Sequence, residues 1–408
     1  MPNNIEAPKG PSDLFAVKRQ AVGTEGSITS EMGENVLPLG AFSKFVLIEQ
    51  PELLNAIRAG ELSLYAVVDK QRELIINLTR EDIGRIIANQ DLARVAMLDL
   101  SFAVNSVIFS GGTPPEEVRE LNVRLSQVTG LPETMTFEKI VSVNSKLPFS
   151  QMRAFTSGAV GETEKRFYYA HELMDIKLQE TIAIATQSVD ALRSKGQQGV
   201  DEVVVSLEKG AGNMKEFADF MKGFMKMPRE HFSIFRQYLS QYPDGTRNAS
   251  GAFIGMPRLN IRLVGLSPRY EEFLDEGIRY FPVSEQPDIH YARGQAQQGD
   301  YLVAQCERLQ GEPQQKLAKA LIQIIEPIRD FRLGHLAAVV RYIPQAMPEG
   351  VKDLKIQLAQ TEEEPIIDDK SAVTKGTAGF LPGPLLRNTL RLDLKALERL
   401  NAIINKEK

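Results

Sequence analysis

The chain has 408 residues, of which 43% are hydrophobic and 25% charged, and its formal net charge is −5 at pH 7. These proportions are typical of a globular protein with one large domain or two to three ordinary ones. The charge is small and mixed in sign, and no apolar run approaches the length of a membrane span, so neither nucleic acid nor a membrane is an expected partner. The first ten residues lack the charged-then-apolar layout of a signal peptide, which favours a cytoplasmic location.

The N-terminal part of the chain divides into a leader and a small helical region. Residues 1–40 are rich in Pro, Gly and Ser and show little apolar periodicity, which predicts a flexible leader. Residues 41–112 show amphipathic helical periodicity and predict a small helical domain. The segment Gly111–Glu116, with its glycines, prolines and a Thr cap, predicts a boundary before a large domain at 113–408.

The larger region is also helical in pattern, because helical apolar periodicity alternates with Gly and Pro turns. The predicted helices are Pro115–Thr129, Phe137–Asn144, Glu164–Ser194, Asp201–Met225, His231–Tyr242, Glu271–Phe281, Gln314–Ile343 and Leu385–Asn405. Strand-like alternation is scarce: only 203–205 and 261–264 are candidates for β-branched strands, and both are short enough to be helical. The sequence therefore predicts an all-α fold.

Few residues are available for metal or nucleophilic chemistry. The chain has one cysteine, Cys306, which excludes a disulfide framework and any cysteine-cluster metal site. Its four histidines form no H-E-x-x-H pair, and the G-x-S-x-G, P-loop and dinucleotide-binding motifs are absent. Zinc protease, serine hydrolase and nucleotide-binding functions therefore lack their usual residues.

The helix predicted at 314–343 carries a histidine in its apolar face. His335 falls at helical spacing with Phe331, Val339 and Tyr342, and Arg332 lies one turn before it. A buried haem needs a neutral imidazole as axial ligand and a cation near its propionates. A lone histidine on an apolar face is also compatible with a hydrogen-bonded core residue, so this stripe leaves both interpretations open.

The segment Phe331–Ile343, F-R-L-G-H-L-A-A-V-V-R-Y-I, is similar to the proximal helix of the indoleamine 2,3-dioxygenase and tryptophan 2,3-dioxygenase superfamily. The bacterial branch that includes monodechloroaminopyrrolnitrin synthase is the part of the superfamily that the chain resembles most. The resemblance extends from about Leu121 to the C-terminus as a set of spaced motifs. It implies haem b as cofactor, His335 as the iron ligand and Arg332 as a propionate partner.

Two further segments resemble the parts of this family that contact substrate. The segment Phe232–Ser240 is similar to the family's carboxylate-binding segment, which implies Arg236 as the carboxylate clamp and Phe232 as a pocket wall, with His231 in the place of a second aromatic. The segment Lys165–Leu173 resembles the distal helix. It implies Phe167 as a substrate contact and His171 as a catalytic group on the open side of the iron.

Two Gly-containing turns complete the resemblance. Asn248–Ala252 is a loose counterpart of the family's turn over the haem edge, which implies Ser250 as a hydrogen-bond donor to a propionate. Lys375–Phe380 resembles the family's loop that closes on substrate, which implies Thr377 as a substrate contact. Read from the residues alone, Gly376–Gly379 is also compatible with an ordinary turn, and Arg236 with a side chain that snorkels or pairs with an acid.

Together these features predict a haem-dependent dioxygenase that adds dioxygen to the indole ring of tryptophan or a related indole, with oligomerisation possible. An enzyme on the same scaffold that rearranges a modified tryptophan is compatible with the same motifs. Two functions of a different class also fit these residues: a non-catalytic haem-binding helical protein, and an interaction module without a cofactor.

Overall fold

A computed structural model describes residues 36–244, 246, 255–346 and 382–406. Helix accounts for 80% of these residues, and none of them lies in a β-strand, which confirms the all-α fold. Ser250 and Thr377 lie outside the described residues. In the described part of the chain, no helix is both long and apolar enough to cross a membrane.

The first helices surround a buried central one. They are α1 (Ala41–Lys44), a π-helical turn at Phe45–Glu49, α2 (Gln50–Arg58), α3 (Tyr65–Ile76), α4 (Arg80–Ala88) and α5 (Gln90–Ile108). Helix α4 begins with a capping box, since Thr79 and Asp82 each bond the other's backbone N–H through their side chains. Every residue of α5 from Val95 to Ala103 is buried, so this helix lies inside the core.

The remaining helices include one at each predicted position and three that were not predicted. They are α6 (Glu116–Thr129), a π-helical turn at Glu138–Val143, α7 (Gly158–Lys195), α8 (Val200–Phe224), α9 (Arg229–Arg236), α10 (Gly255–Leu263), α11 (Pro268–Gly277), α12 (Gln286–Gln297), α13 (Leu302–Arg308), α14 (Gly311–Tyr342) and α15 (Pro382–Asn405). Residues 203–205 and 261–263 are helical, Val264 lies in the turn that follows, and Cys306 is buried in α13. Helices α10, α12 and α13 were not predicted from the sequence, because their apolar periodicity is short.

Four long helices pack in the order α7, α8, α14, α15, each on the next. The Tyr342 hydroxyl at the end of α14 lies 2.6 Å from the carbonyl of Phe224, the last residue of α8, and 2.9 Å from the carbonyl of Met227 in the following loop. This contact fixes the end of α14 beside the loop that leads to α9. The helices therefore meet around one internal space, to which α9, α10 and α11 also contribute side chains.

The chain before residue 112 shares a core with the chain after it. Asp99 on α5 pairs with Arg153 at 2.7 Å with both side chains fully buried, and Phe102 stacks on Phe155 with ring centroids 4.3 Å apart. Val36 is buried as well and donates its backbone N–H to Gln151 at 2.9 Å. The division at residue 112 stays a prediction, but the two parts are tied by buried polar and aromatic contacts.

Candidate functional site

A large apolar cavity lies between the histidine-bearing faces of α7 and α14. Its empty volume is about 1380 Å³, including its opening to solvent. The described residues that line it are Phe167, His171, Met174, Met221, Phe224, Met227, Phe232, Met256, Pro257, Asn260, Tyr270, Phe273, Phe331, Arg332, His335, Ala338, Val339, Tyr342, Ile343, Pro382, Leu385, Leu386 and Thr389. An apolar pocket with a few converging polar groups is the usual form of a ligand site.

His335 lies in this cavity on α14, at the position that the apolar stripe predicts. Its ring packs on Phe331 with centroids 5.5 Å apart. Its side chain is partly accessible and lines the cavity. Burial among apolar groups lowers the pKa of His335 to about 4, so the imidazole is neutral at pH 7. A neutral imidazole is the form that binds a metal.

His171 reaches the same cavity from α7. Its Nδ1 lies 2.7 Å from the Phe167 carbonyl oxygen, and because a carbonyl only accepts, Nδ1 carries the proton. Burial, with a smaller contribution from His335, lowers the pKa of His171 to about 4 against the opposing effect of the hydrogen bond to Phe167, so the ring is neutral. The lone pair is therefore on Nε2, which makes His171 a hydrogen-bond acceptor or a metal ligand.

Aromatic rings surround the His171 imidazole. The centroid of Phe167 is 4.3 Å away and that of Phe224 is 4.9 Å away. Phe232 lies 5.7 Å from Phe167 and 5.2 Å from Tyr342, so the aromatic wall continues from α7 through α9 to α14. The cavity can therefore hold a flat aromatic group against ring faces and edges.

Arg332 lines the cavity but is engaged by protein acceptors. Its Nη1 donates to the Asp393 carboxylate and to the Thr389 carbonyl on α15, and its Nη2 donates to Asn260 Oδ1 at 2.6 Å. Asn260 in turn donates to the Tyr270 hydroxyl at 3.1 Å. The guanidinium thus joins α14, α15 and α10 beside His335. A haem propionate would have to share it with Asp393.

Two of the expected substrate residues do not line the cavity. His231 precedes Phe232 by one residue, so it points about 100° away around the helix, and its Nδ1 lies 2.8 Å from the Thr163 hydroxyl on α7. Arg236 is four residues beyond Phe232, on the same helical face but one turn further from the cavity, at the last residue of α9. Its partial burial lowers its pKa.

The sequence analysis missed several residues of the site, and one of them carried a usable signal. Asp393 interrupts the apolar stripe of α15 between Leu390 and Leu397, and a charge in such a stripe indicates a buried partner. Asn260 carried no comparable signal. The cavity methionines also looked like ordinary core residues in the sequence.

The side chains fit a cofactor that brings most of its own metal ligands. In the described ranges, no group of three or more His, Cys, Asp or Glu side chains is placed to hold a metal ion. A bare metal ion needs three or four protein ligands, whereas a porphyrin supplies four nitrogens and leaves only axial positions to the protein. Two neutral imidazoles in one large apolar cavity match that second requirement.

A search with models of known protein families found no match to this chain, and a search among curated proteins found no significant match.

Proposed function

We propose that this protein binds haem b in the cavity between α7 and α14 and acts as a dioxygenase on tryptophan or a related indole. The observation that carries the proposal is that His335 and His171 line one apolar, aromatic-walled cavity and are both neutral at pH 7. Haem, when bound, would supply the activation of dioxygen, while the protein supplies ligation, orientation and exclusion of water.

His335 is the proposed axial ligand. Its helix is fixed on both sides of the ring, by the Arg332–Asp393 pair one turn before it and by the Tyr342 hydroxyl two turns after it. Packing against Phe331 limits rotation of the imidazole. A ligand held in this way needs little reorganisation when the cofactor enters.

His171 has an acceptor role towards substrate in this proposal. Because its Nδ1 proton is committed to the Phe167 carbonyl, the lone pair on Nε2 can accept a hydrogen bond from an indole N–H. Phe167 and Phe232 would then pack on the indole ring. A substrate without an N–H donor is expected to bind less tightly.

Arg236 is the proposed partner of a substrate carboxylate. It lies one turn beyond Phe232 on α9, so the carboxylate would have to extend past that ring to reach it. This part of the proposal concerns tryptophan alone, because indole has no carboxylate. The variant Arg236→Ala is therefore expected to weaken tryptophan binding by a few kcal/mol if the pair is desolvated and to leave indole binding nearly unchanged.

The first test is haem binding by the purified protein, followed optically as hemin is added. We expect one haem per chain, with His335→Ala lowering the stoichiometry or changing the ferric and ferrous spectra. His290→Ala is the matched control, since His290 is exposed on α12. Absence of a Soret band in the wild-type protein once unbound hemin has been removed would refute the proposal.

The second test is turnover. Ferrous protein is mixed with L-tryptophan or indole under oxygen-18, and the product is identified by mass spectrometry. Incorporation of both labelled atoms into a ring-opened indole is the expected result. A rearranged product without both atoms would favour a different reaction on the same scaffold, and an unchanged substrate would leave haem binding as the only function.

A further inference from the structure

We propose that His171 is a second axial ligand in the substrate-free protein, so that the resting haem is held between His171 and His335. This inference rests on the proposed haem binding and adds a state of the same site. His171 would bind the metal in the absence of substrate and would accept a hydrogen bond from the substrate when it is present.

The first support is placement. His171 on α7 and His335 on α14 belong to helices that both pack on α8, and both rings line the same cavity. A flat cofactor between these two walls would present one face to each ring.

The second support is the hydrogen bond of His171. A histidine that ligates a metal almost always donates its other ring N–H to a carbonyl, a carboxylate or water, which fixes the tautomer and the ring orientation. His171 already makes this bond, from Nδ1 to the Phe167 carbonyl at 2.7 Å. The lone pair is therefore on Nε2, the nitrogen further from the helix.

The third support is the surrounding surface. Phe137, Phe167 and Phe224 contact the His171 ring and hold it among aromatic groups. The same group thus has the orientation and the environment of a ligand.

This arrangement would make oxygen reactivity depend on substrate. If His171 and His335 both held the haem iron, they would leave it no open site for dioxygen. An indole N–H that binds His171 Nε2 would take up the same lone pair, so substrate binding would release His171 from the metal. This release would transfer no electrons and would need no further reactant.

The test uses the ferric wild-type protein reconstituted with hemin, without substrate, and measures its spin state by optical and electron paramagnetic resonance spectroscopy. We expect a low-spin spectrum for the wild-type protein and for His290→Ala, the exposed-histidine control. His171→Ala should change nearly all of the signal to high spin. Added imidazole should restore the low-spin form of that variant.

Near-infrared magnetic circular dichroism of the wild-type protein tests the same point without a variant, because it identifies a pair of imidazole ligands directly. A haem-loaded wild-type protein that is high-spin, or a low-spin signal that persists in folded His171→Ala, would overturn this inference while the proposed haem binding stands. A wild-type protein that binds no haem would instead overturn the proposed function itself.

Discussion

At the scale of single residues, the buried ion pair of Arg332 and Asp393 decides how the wall beside His335 is held. The exposed fractions of the two side chains are 2% and 1%. The guanidinium also donates to Thr389 and Asn260, so it is bonded on several sides. The sequence shows Arg332 one helical turn before His335, but it did not predict Asp393 as the carboxylate partner of Arg332.

Asp393→Ala is expected to destabilise the protein by about 3–5 kcal/mol, because it leaves the Arg332 charge buried without its counter-ion. Urea unfolding at pH 7.5 measures this change in the free energy of unfolding. Arg399→Ala is the control: Arg399 pairs with Glu307 between α15 and α13, but the pair is exposed. Arg399→Ala should lower the free energy of unfolding by about 0.2–1 kcal/mol. Similar losses for both variants would contradict the assignment.

The choice of pH follows from the titration of Asp393. Burial raises the pKa of Asp393 to about 6, against the opposing effect of Arg332. A raised carboxyl pKa means that the folded state binds more protons, so this group's contribution to stability falls as the pH rises from about 4 to 6. At pH 7.5 the carboxylate is charged in both states, and protonation does not complicate the comparison.

At the scale of helices, close approaches set the shape of the cavity. Helix α10 lies against α7 at Gly255, where an added Cβ would be 2.6 Å from Leu178 Cδ2 and 2.8 Å from its Cγ. The next two residues, Met256 and Pro257, line the cavity. A side chain at Gly255 must therefore displace either buried Leu178 or the cavity wall.

Gly255→Ala is expected to destabilise the protein by about 1–3 kcal/mol through overpacking, and to shift the spectrum of bound haem. Gly212→Ala is the matched control, because Gly212 is an exposed residue inside α8 with no heavy atom within 4 Å of a built Cβ. Gly212→Ala should stabilise the folded protein by about 0.5–1 kcal/mol. Thermal unfolding distinguishes the two, and a stabilising Gly255→Ala would show that α10 can move freely.

At the scale of the whole molecule, the buried apolar residues before and after residue 112 belong to one contiguous cluster. The Asp99–Arg153 pair adds a fully buried polar connection across the same boundary. Parts that share a core are expected to unfold together, whatever the sequence pattern suggests about domains.

Calorimetric unfolding is therefore expected to show one transition, with the calorimetric and van't Hoff enthalpies in agreement. Limited proteolysis provides an independent check near Gly112. Two resolved transitions, or a stable fragment that begins near residue 113, would instead favour the two-domain division predicted from the sequence.

The sequence by itself determined the helical class and most helix positions, because periodicity and the residues at helix ends act over a few residues. The predicted helices at Gln314–Ile343 and Leu385–Asn405 match α14 and α15 within three residues at each end. The apolar stripe likewise placed His335 on a buried face. Each of these conclusions depends on neighbours along the chain.

Only the tertiary structure decided which side chains meet. A helical pattern shows that a face is buried, but not against which partner, because contacts between α7 and α14 join distant parts of the chain. For that reason the pairing of Arg332 with Asp393 and the positions of His231 and Arg236 away from the cavity could not be predicted. The meeting of His171 and His335 in one cavity depends on the packing of both helices on α8.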